Sequence, residues 1–169
     1  MQIAWTPDEF ISTYRFAAEA HRGKLMPGTK LPYIVHVSLV SMEIIAALHV
    51  ETGYDGDLAI KCALLHDVLE DTHITRTQIT NEFGKKVADG VSALTKDSKV
   101  EKTRRMDDCL IRIRKQPCEV WMVKMADRIT NLRPPPSSWS NDKIHAALNS
   151  TSQYLATRLY AKIKDYGIG

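Results

Sequence analysis

The sequence predicts an all-α fold: a single helical bundle of about eight helices with no significant sheet. Apolar residues recur at helical spacing along most of the chain. No segment alternates convincingly with the period of two that marks a half-buried strand. Capping residues, glycines and prolines divide the chain into segments of helical length. The 169 residues, of which 44% are hydrophobic and 25% charged, are enough for one core, so we expect one domain over residues 1–169.

Capping signals and glycines mark the first half of the chain. Thr6 and Glu9 have the spacing of a capping box, with Pro7 at the first helical position. Thr75 and Gln78 repeat the pattern. A wide apolar stripe lies between these two segments, and three of the four predicted helices end near a glycine. We expect helices over residues 6–23, 37–53, 55–71 and 75–84.

The second half of the chain is predicted to be helical with one rigid break. Helical spacing continues after residue 84, and Pro117 can begin a further helix. The proline-rich stretch at residues 133–138 interrupts the pattern. It is short, which favours a loop within one domain over a domain linker. We expect helices over residues 85–96, 100–115, 118–132 and 141–166.

Composition and charge narrow the classes of partner. A formal net charge of +3 fits an anionic ligand without requiring nucleic acid, and the basic run at residues 102–115 contains aspartates but no aromatic residue for base stacking. The N-terminus lacks signal-peptide features, and no apolar run has the length of a membrane span. The three cysteines form no CxxC pair, which argues against a disulfide scaffold. We expect a cytoplasmic protein without nucleic-acid or membrane partners, and a homo-oligomer remains open.

The segment ALLHDVLEDT, residues 63–72, places four titratable groups beside an apolar run. On an ideal helix His66, Asp67, Glu70 and Asp71 fall within an arc of about 140°. They also lie at the C-terminal end of the predicted third helix, where the helix dipole disfavours each exposed negative charge by ~0.3–1 kcal/mol. A bound cation would offset that cost. Without one, the segment is a solvated acidic helix end.

Two distant segments supply residues that complete a metal-binding pattern. His36 follows a Pro-Tyr turn at the start of an apolar helix, and Asp127 and Asn131 lie one turn apart. Alone, His36 is typical of a cap or core residue and Asp127 of an ion-pair partner. With His66 and Asp67 they give two imidazoles and two carboxylates, which suit a divalent metal with open coordination positions. Mixed nitrogen and oxygen ligands favour manganese, iron or zinc over calcium or magnesium.

This arrangement of histidines and aspartates on an all-helical chain resembles the HD-domain phosphohydrolases. The segments AAEAHRGK, LPYIVH, ALLHDVLEDT, FGKKVADGVSALTK and VKMADRITNL resemble, in that order, the hydrolase domain of the RelA/SpoT family. The resemblance covers roughly residues 10–139. Because the sequence carries no synthetase or regulatory region, it is similar to the stand-alone small alarmone hydrolases.

The resemblance implies a reaction and a role for several residues. The substrate would be a guanosine or adenosine tetra- or pentaphosphate, from which the 3′-diphosphate is removed as pyrophosphate. Glu70 and Asp71 match the acidic pair that positions and activates the attacking water, and Asn131 matches a residue beside the substrate ribose. The residues that match the metal ligands, which normally hold manganese, are His36, His66, Asp67 and Asp127.

The chemistry leaves two assignments open. A carboxylate near a metal-activated water can accept its proton; Glu70 is the better placed on an ideal helix, but Asp71 can equally orient the water or a leaving oxygen. The diphosphates also need cations, and we favour Arg22 and Lys143 on segment position, with Lys24 as a further substrate-binding candidate. The other basic residues considered are Lys96, Lys99, Lys102, Arg105 and Lys124.

The sequence departs from the family pattern around the nucleobase. An Arg-Lys pair usually precedes Pro-Tyr, where this chain has Leu25, Met26 and Pro27. Farther along, Ala147 and Asn149 occupy positions where the family usually has a tyrosine and an acidic residue. The pattern therefore leaves guanine preference open, with an adenine alarmone or another 3′-phosphorylated nucleotide such as NADPH as alternatives.

Two other classes of function remain as alternatives. A nucleotidase or cyclic-nucleotide phosphodiesterase of the wider HD group would keep the metal residues, but it would not need the LEDT and DRITNL segments. A non-catalytic nucleotide sensor would explain the departures around the base. The presence of Glu70, Asp71 and Asn131 argues against that sensor.

Overall fold

The computed structural model describes residues 5–132, 140–146 and 149. This part of the chain is helical, as predicted, and contains no strand; one isolated antiparallel bridge joins Leu25 and Pro32. Residues 141–146 and 149 are also helical, while the rest of the predicted last helix and the proline-rich stretch lie outside the described residues. The named helices are α1 (Pro7–Ala20), α2 (Ile34–Val50), α3 (Gly56–Leu65), α4 (Val68–Asp71), α5 (Arg76–Phe83), α6 (Lys85–Leu94), α7 (Arg105–Ile113) and α8 (Cys118–Asn131).

The predicted capping box of α1 is only half formed. The Thr6 side chain accepts a hydrogen bond from the backbone N–H of Glu9, and Pro7 is the first helical residue. The Glu9 carboxylate instead pairs with Lys61 at 2.7 Å, and the Thr6 N–H donates to Asp57 at 3.1 Å. Both contacts join α1 to α3. At this end of α1, partners on a neighbouring helix therefore replace one of the two hydrogen bonds of the local capping box.

The capping box of α5 is complete. The Thr75 side chain accepts from the Gln78 backbone, and the Gln78 side chain accepts from the Thr75 N–H at 2.9 Å. This helix ends at Gly84, whose φ of 84° lies in the left-handed region that favours glycine. Here the local signals predicted both ends of the helix.

The prediction of one continuous helix over residues 55–71 is wrong. Helix α3 ends at Leu65, the chain turns at His66 and Asp67, and the single turn α4 follows. Asp67 has φ −105° and ψ 0°, outside the helical region, and helical bonding resumes when the Asp71 N–H donates to the Asp67 carbonyl at 2.9 Å. Nearly all of α3 is buried, whereas Glu70 and Asp71, which follow the turn, are exposed.

Helix α3 is the centre of the bundle. It packs against α1, α2, α6 and α8, and α2 also packs against α8. Helix α6 comes close because residue 90 is a glycine: a Cβ there would lie 2.8 Å from Cys62 Sγ and 2.9 Å from Val120 Cγ2. No helix of the described part has the length and apolar content needed to cross a bilayer.

Candidate metal centre and adjoining pocket

The four predicted metal ligands lie together where three helical segments meet. His36 is in the first turn of α2, which begins three residues earlier than predicted; His66 and Asp67 form the turn between α3 and α4; Asp127 lies on α8. Ligand atoms of His36, His66 and Asp67 all lie within 4.8 Å of one another. Asp127 Oδ1 is 3.5 Å from His36 Nε2. The structure therefore brings together residues from distant parts of the sequence.

The donor atoms fit a divalent metal. Asp67 Oδ2 lies 2.9 Å from His66 Nε2 and 3.8 Å from His36 Nε2, and donors held about 2.1 Å from one ion lie roughly 3–4 Å apart. His66 Nε2 is buried and, although Asp67 Oδ2 is 2.9 Å away, it has no hydrogen-bond partner in the described part of the chain. His66 Nδ1 lies 2.7 Å from the Ala63 carbonyl, which only accepts. In the neutral ring Nδ1 therefore carries the proton and Nε2 keeps a lone pair for a metal.

Two ionised carboxylates give the cluster a negative charge. Burial opposes ionisation of Asp67, but His66 and the Tyr33 hydroxyl hold its pKa well below the usual value. Burial likewise opposes ionisation of Asp127, and Lys124 is the largest influence that keeps its pKa low. Burial alone would lower the pKa of His66, but Asp67 and Asp127 outweigh burial and raise it to about 9. Without a metal, a proton on His66 balances part of the charge.

Tyr33 supports this cluster, and the sequence analysis did not identify it. Its hydroxyl donates a hydrogen bond to Asp67 Oδ2. Burial and the charge of Asp67 raise the pKa of Tyr33, so the hydroxyl stays a donor. The ring packs between His21 and His36, with centroids 4.9 and 5.3 Å away, and Lys24 Nζ lies 4.2 Å above it. The sequence signal that could have identified Tyr33 is its position directly before the helix that carries His36.

Each member of the acidic pair is held by a lysine from a distant segment. Glu70 Oε1 accepts from Lys96 Nζ at 2.8 Å, and Glu70 Oε2 accepts from the Lys96 backbone N–H at 3.2 Å. The Asp71 carboxylate pairs with Lys24. Both carboxylates are thus oriented by cations that an anionic ligand would attract.

The cluster of His36, His66, Asp67 and Asp127 adjoins a cavity of about 590 Å³, a volume in the range of small-molecule sites. Both acidic residues of the pair face it, as do the apolar residues at positions 26 and 27. The predicted site residues that line it are His36, Asp67, Glu70, Asp71, Asp127, Asn131 and Lys143, and the other lining residues are Met26, Pro27, Tyr33, Lys96, Met106, Lys124, Arg128 and Ala146.

The predicted substrate-binding residues divide into two groups. Asn131 and Lys143 line the cavity, and the Asn131 amide also donates to Asp127 Oδ1 at 2.6 Å. Arg22 does not reach the cavity: its side chain is 77% exposed and pairs with Glu19. Lys24 does not line the cavity, but it contacts two residues that do: it pairs with Asp71 and lies over the Tyr33 ring. The contacts of all four residues with substrate stay predictions.

One face of α8 supplies more of the cavity than the sequence analysis anticipated. Lys124 and Arg128 line the cavity together with Asp127 and Asn131. Lys124 Nζ lies 3.4 Å from Asp127 Oδ2, and both side chains are largely buried. From the sequence, Lys124 was only one of a wider set of basic candidates, and Arg128 was not among the candidates. Their spacing of i, i+3, i+4 and i+7 places all four on one helical face and would have identified them.

The helical fold and the histidine–aspartate cluster define a class of protein, and comparisons with known proteins agree. A family model described as "HD domain" matches residues 13–159. A Haemophilus influenzae protein named guanosine-3′,5′-bis(diphosphate) 3′-pyrophosphohydrolase is 39% identical over 127 residues, which are 69% of this chain and 17% of the relative. The Drosophila melanogaster enzyme of the same name, MESH1, is 30% identical over 140 residues, which cover 80% of this chain and 76% of the relative.

A solved structure extends the likeness to the fold. It is described as a metazoan orthologue of SpoT that hydrolyses ppGpp; it has a TM-score of 0.72 and 26% sequence identity, and the match covers 89% of this chain and 87% of that one. This chain belongs to the HD-domain family, in the group that includes the MESH1 and SpoT-type proteins.

Proposed function

We propose that this chain is a metal-dependent hydrolase that removes the 3′-diphosphate from guanosine-3′,5′-bis(diphosphate) or its adenine counterpart and releases pyrophosphate. The observation that carries the proposal is the two-histidine, two-aspartate cluster at the wall of a cavity that also exposes Glu70 and Asp71. The names of the Drosophila relative and of the structural neighbour, both acting on guanosine-3′,5′-bis(diphosphate), support the substrate.

Four side chains of this chain would hold the metal. We propose manganese, because mixed imidazole and carboxylate ligands suit it. A bound divalent metal polarises a phosphoryl oxygen and lowers the pKa of water. The fixed tautomer of His66 and the buried hydroxyl donor to Asp67 orient their donor atoms before a metal arrives. The proposed ligands are His36, His66, Asp67 and Asp127.

The acidic pair provides the proton acceptor. The water oxygen attacks the phosphorus attached to the 3′-oxygen, and the bond between that phosphorus and the 3′-oxygen breaks with its electron pair passing to the 3′-oxygen. That oxygen takes up one proton, equivalent to the one the base removes from the water, and becomes the 3′-hydroxyl. We assign Glu70 as the acceptor of the water proton and Asp71 as the group that orients the water. Substrate phosphates compete for Lys96, which holds both Glu70 oxygens, so substrate binding frees the carboxylate that acts as the base.

The residues at positions 26 and 27 favour an enzyme that accepts both guanine and adenine. Met26 and Pro27 line the cavity in the segment where the family resemblance implies a basic pair. Discrimination between guanine and adenine by hydrogen bonds requires fixed donors and acceptors, whereas a methionine adapts to either purine face. We therefore propose that the adenine tetraphosphate is hydrolysed at a rate comparable with that of the guanine compound.

A release assay tests both parts of this proposal. The protein with manganese is offered guanine and adenine tetraphosphates, NADPH and cyclic nucleotides, and pyrophosphate and orthophosphate are measured separately. We expect pyrophosphate from both tetraphosphates at rates within about tenfold. Orthophosphate from NADPH alone, products from cyclic nucleotides alone, or no product would overturn the proposed reaction. A hundredfold preference for guanine would overturn only the tolerance of the base.

A further inference from the structure

Arg128 is a cavity residue whose charge has no strong partner among residues 5–132, 140–146 and 149. It lies on the face of α8 that lines the cavity. Its Nε is buried and makes no hydrogen bond, and its Nη2 approaches only Met106 Sδ, at 3.3 Å. A thioether sulfur is a weak acceptor. The guanidinium is therefore partly desolvated without the acceptor that normally compensates for desolvation.

The neighbouring lysines, unlike Arg128, each lie beside a carboxylate of the described part of the chain. Lys96 pairs with Glu70 at 2.8 Å, and Lys124 lies 3.4 Å from Asp127. Within the described part of the chain, no carboxylate forms an ion pair with Arg128. Arg128 is partly exposed, and only its Nε is buried without a partner. Since desolvated cationic groups are normally paired, this arrangement suits an anion bound in the cavity beside Arg128.

The shape of the side chain and its position narrow the anion further. Arg128 follows Asp127 directly and is one turn from Lys124, so it stands beside the proposed metal ligands on a rigid helix. A guanidinium presents a planar fork of donors that matches two oxygens of a phosphoryl group. We propose that Arg128 is a substrate-binding residue that receives a phosphoryl group of the nucleotide, replacing its contact with Met106. This inference rests on the proposed function for the identity of the nucleotide.

Equilibrium binding without metal tests the role of Arg128 apart from turnover. Dissociation constants are measured in chelator for the guanine tetraphosphate, GDP and inorganic pyrophosphate. The variants are Arg128→Met, Arg128→Lys and, as a matched control, Arg15→Met, an exposed residue of α1 outside the cavity. We expect Arg128→Met to weaken tetraphosphate binding by tenfold or more, Arg128→Lys to restore part of the loss, and the control to match the parent.

The comparison of ligands distinguishes the two diphosphates of the substrate. A loss with GDP assigns Arg128 to the 5′-diphosphate, and a loss with pyrophosphate alone assigns it to the 3′-diphosphate. With manganese present, Arg128→Met should raise KM more than it lowers kcat. A loss of folded protein would lower kcat without raising KM.

Failure of this inference is separate from failure of the proposed reaction. If the parent binds the tetraphosphate but releases no pyrophosphate, the proposed reaction is wrong while the binding data still decide on Arg128. Unchanged dissociation constants in a folded Arg128→Met variant, or a parent that binds none of the three anions, would overturn the role of Arg128.

Discussion

Single contacts from surrounding residues hold the proposed metal ligands in place. Tyr33 donates to Asp67, and Asn131 donates to Asp127 at 2.6 Å. The Ala63 carbonyl fixes the ring of His66 at 2.7 Å. Such supporting contacts orient ligands and typically change metal affinity by 10–100-fold when removed. The cluster is therefore organised before a metal binds.

The hydroxyl of Tyr33 offers a direct test of that organisation. Tyr33→Phe removes the hydrogen bond to Asp67 but keeps the ring between His21 and His36. We expect manganese affinity to fall by about 10-fold or more with little change in the thermal midpoint of the metal-free protein. Calorimetric titration measures the affinity, and Tyr14→Phe on α1 serves as the control. An unchanged affinity would show that Asp67 does not depend on Tyr33.

The proposed proton acceptor is tested by an isosteric change. Glu70→Gln keeps the shape of the side chain and an oxygen that accepts from Lys96, but it removes the basic carboxylate. We expect kcat to fall by about 10²-fold or more, the usual scale of acid–base catalysis, while bound metal is retained. Steady-state kinetics and metal analysis on one preparation measure both quantities. If turnover is unchanged, Asp71 or the metal alone activates the water.

At the scale of elements, local signals predicted helices better than they predicted breaks. The complete cap at Thr75 and Gln78 is written in adjacent residues, and the sequence predicted it. The turn at His66 and Asp67 was not predicted, because the segment keeps helical spacing through residue 71 and carries no local break signal at these two residues. At Glu9 a long-range partner replaces a local one: the carboxylate pairs with Lys61 of α3 instead of closing the capping box at Thr6.

The close approach of α6 to α3 and α8 depends on Gly90. In an ordinary helix interior, replacing glycine with alanine stabilises by about 0.5–1 kcal/mol. Here the added Cβ would meet Cys62 Sγ at 2.8 Å and Val120 Cγ2 at 2.9 Å, and overpacking a core costs about 1–3 kcal/mol. We therefore expect Gly90→Ala to lower the free energy of unfolding, measured in urea.

A double-mutant cycle identifies the cause of that loss. Cys62→Ala removes one of the two atoms that the new Cβ would meet. The combined variant should lose less stability than the sum of the two single changes, because contacting residues do not act additively. A Gly90→Ala variant more stable than the parent would show that the helices shift apart without cost.

For the whole molecule, the sequence predicted the fold class and the residues of the cluster, but not the cavity around them. The four candidate ligands lie in short sequence motifs on three segments, and the structure brings those segments together. The cavity depends on pairings that join distant residues, such as Lys96 with Glu70 and Lys24 with Asp71. Sequence position alone favoured Arg22, whose side chain faces solvent, because neighbourhood in sequence does not determine the direction of a long side chain.

The helices that carry the cluster also pack on one another. Helices α2, α3 and α8 are in mutual contact, so a metal held at their junction links three parts of the core. Binding to the native state alone adds to the free energy of unfolding, by about 2.7 kcal/mol at a hundredfold excess over the dissociation constant. Manganese should therefore raise the thermal midpoint of the parent protein.

The central claim is that His36, His66, Asp67 and Asp127 hold one divalent metal, and the metal content of an Asp67→Ala variant tests it most directly. Elemental analysis after manganese loading and desalting compares the parent, Asp67→Ala and the control Asp8→Ala, whose aspartate is exposed on α1. We predict about one manganese per chain in the parent and the control, and a loss of both metal and the manganese-dependent thermal shift in Asp67→Ala. A folded Asp67→Ala variant that keeps stoichiometric manganese would contradict the account.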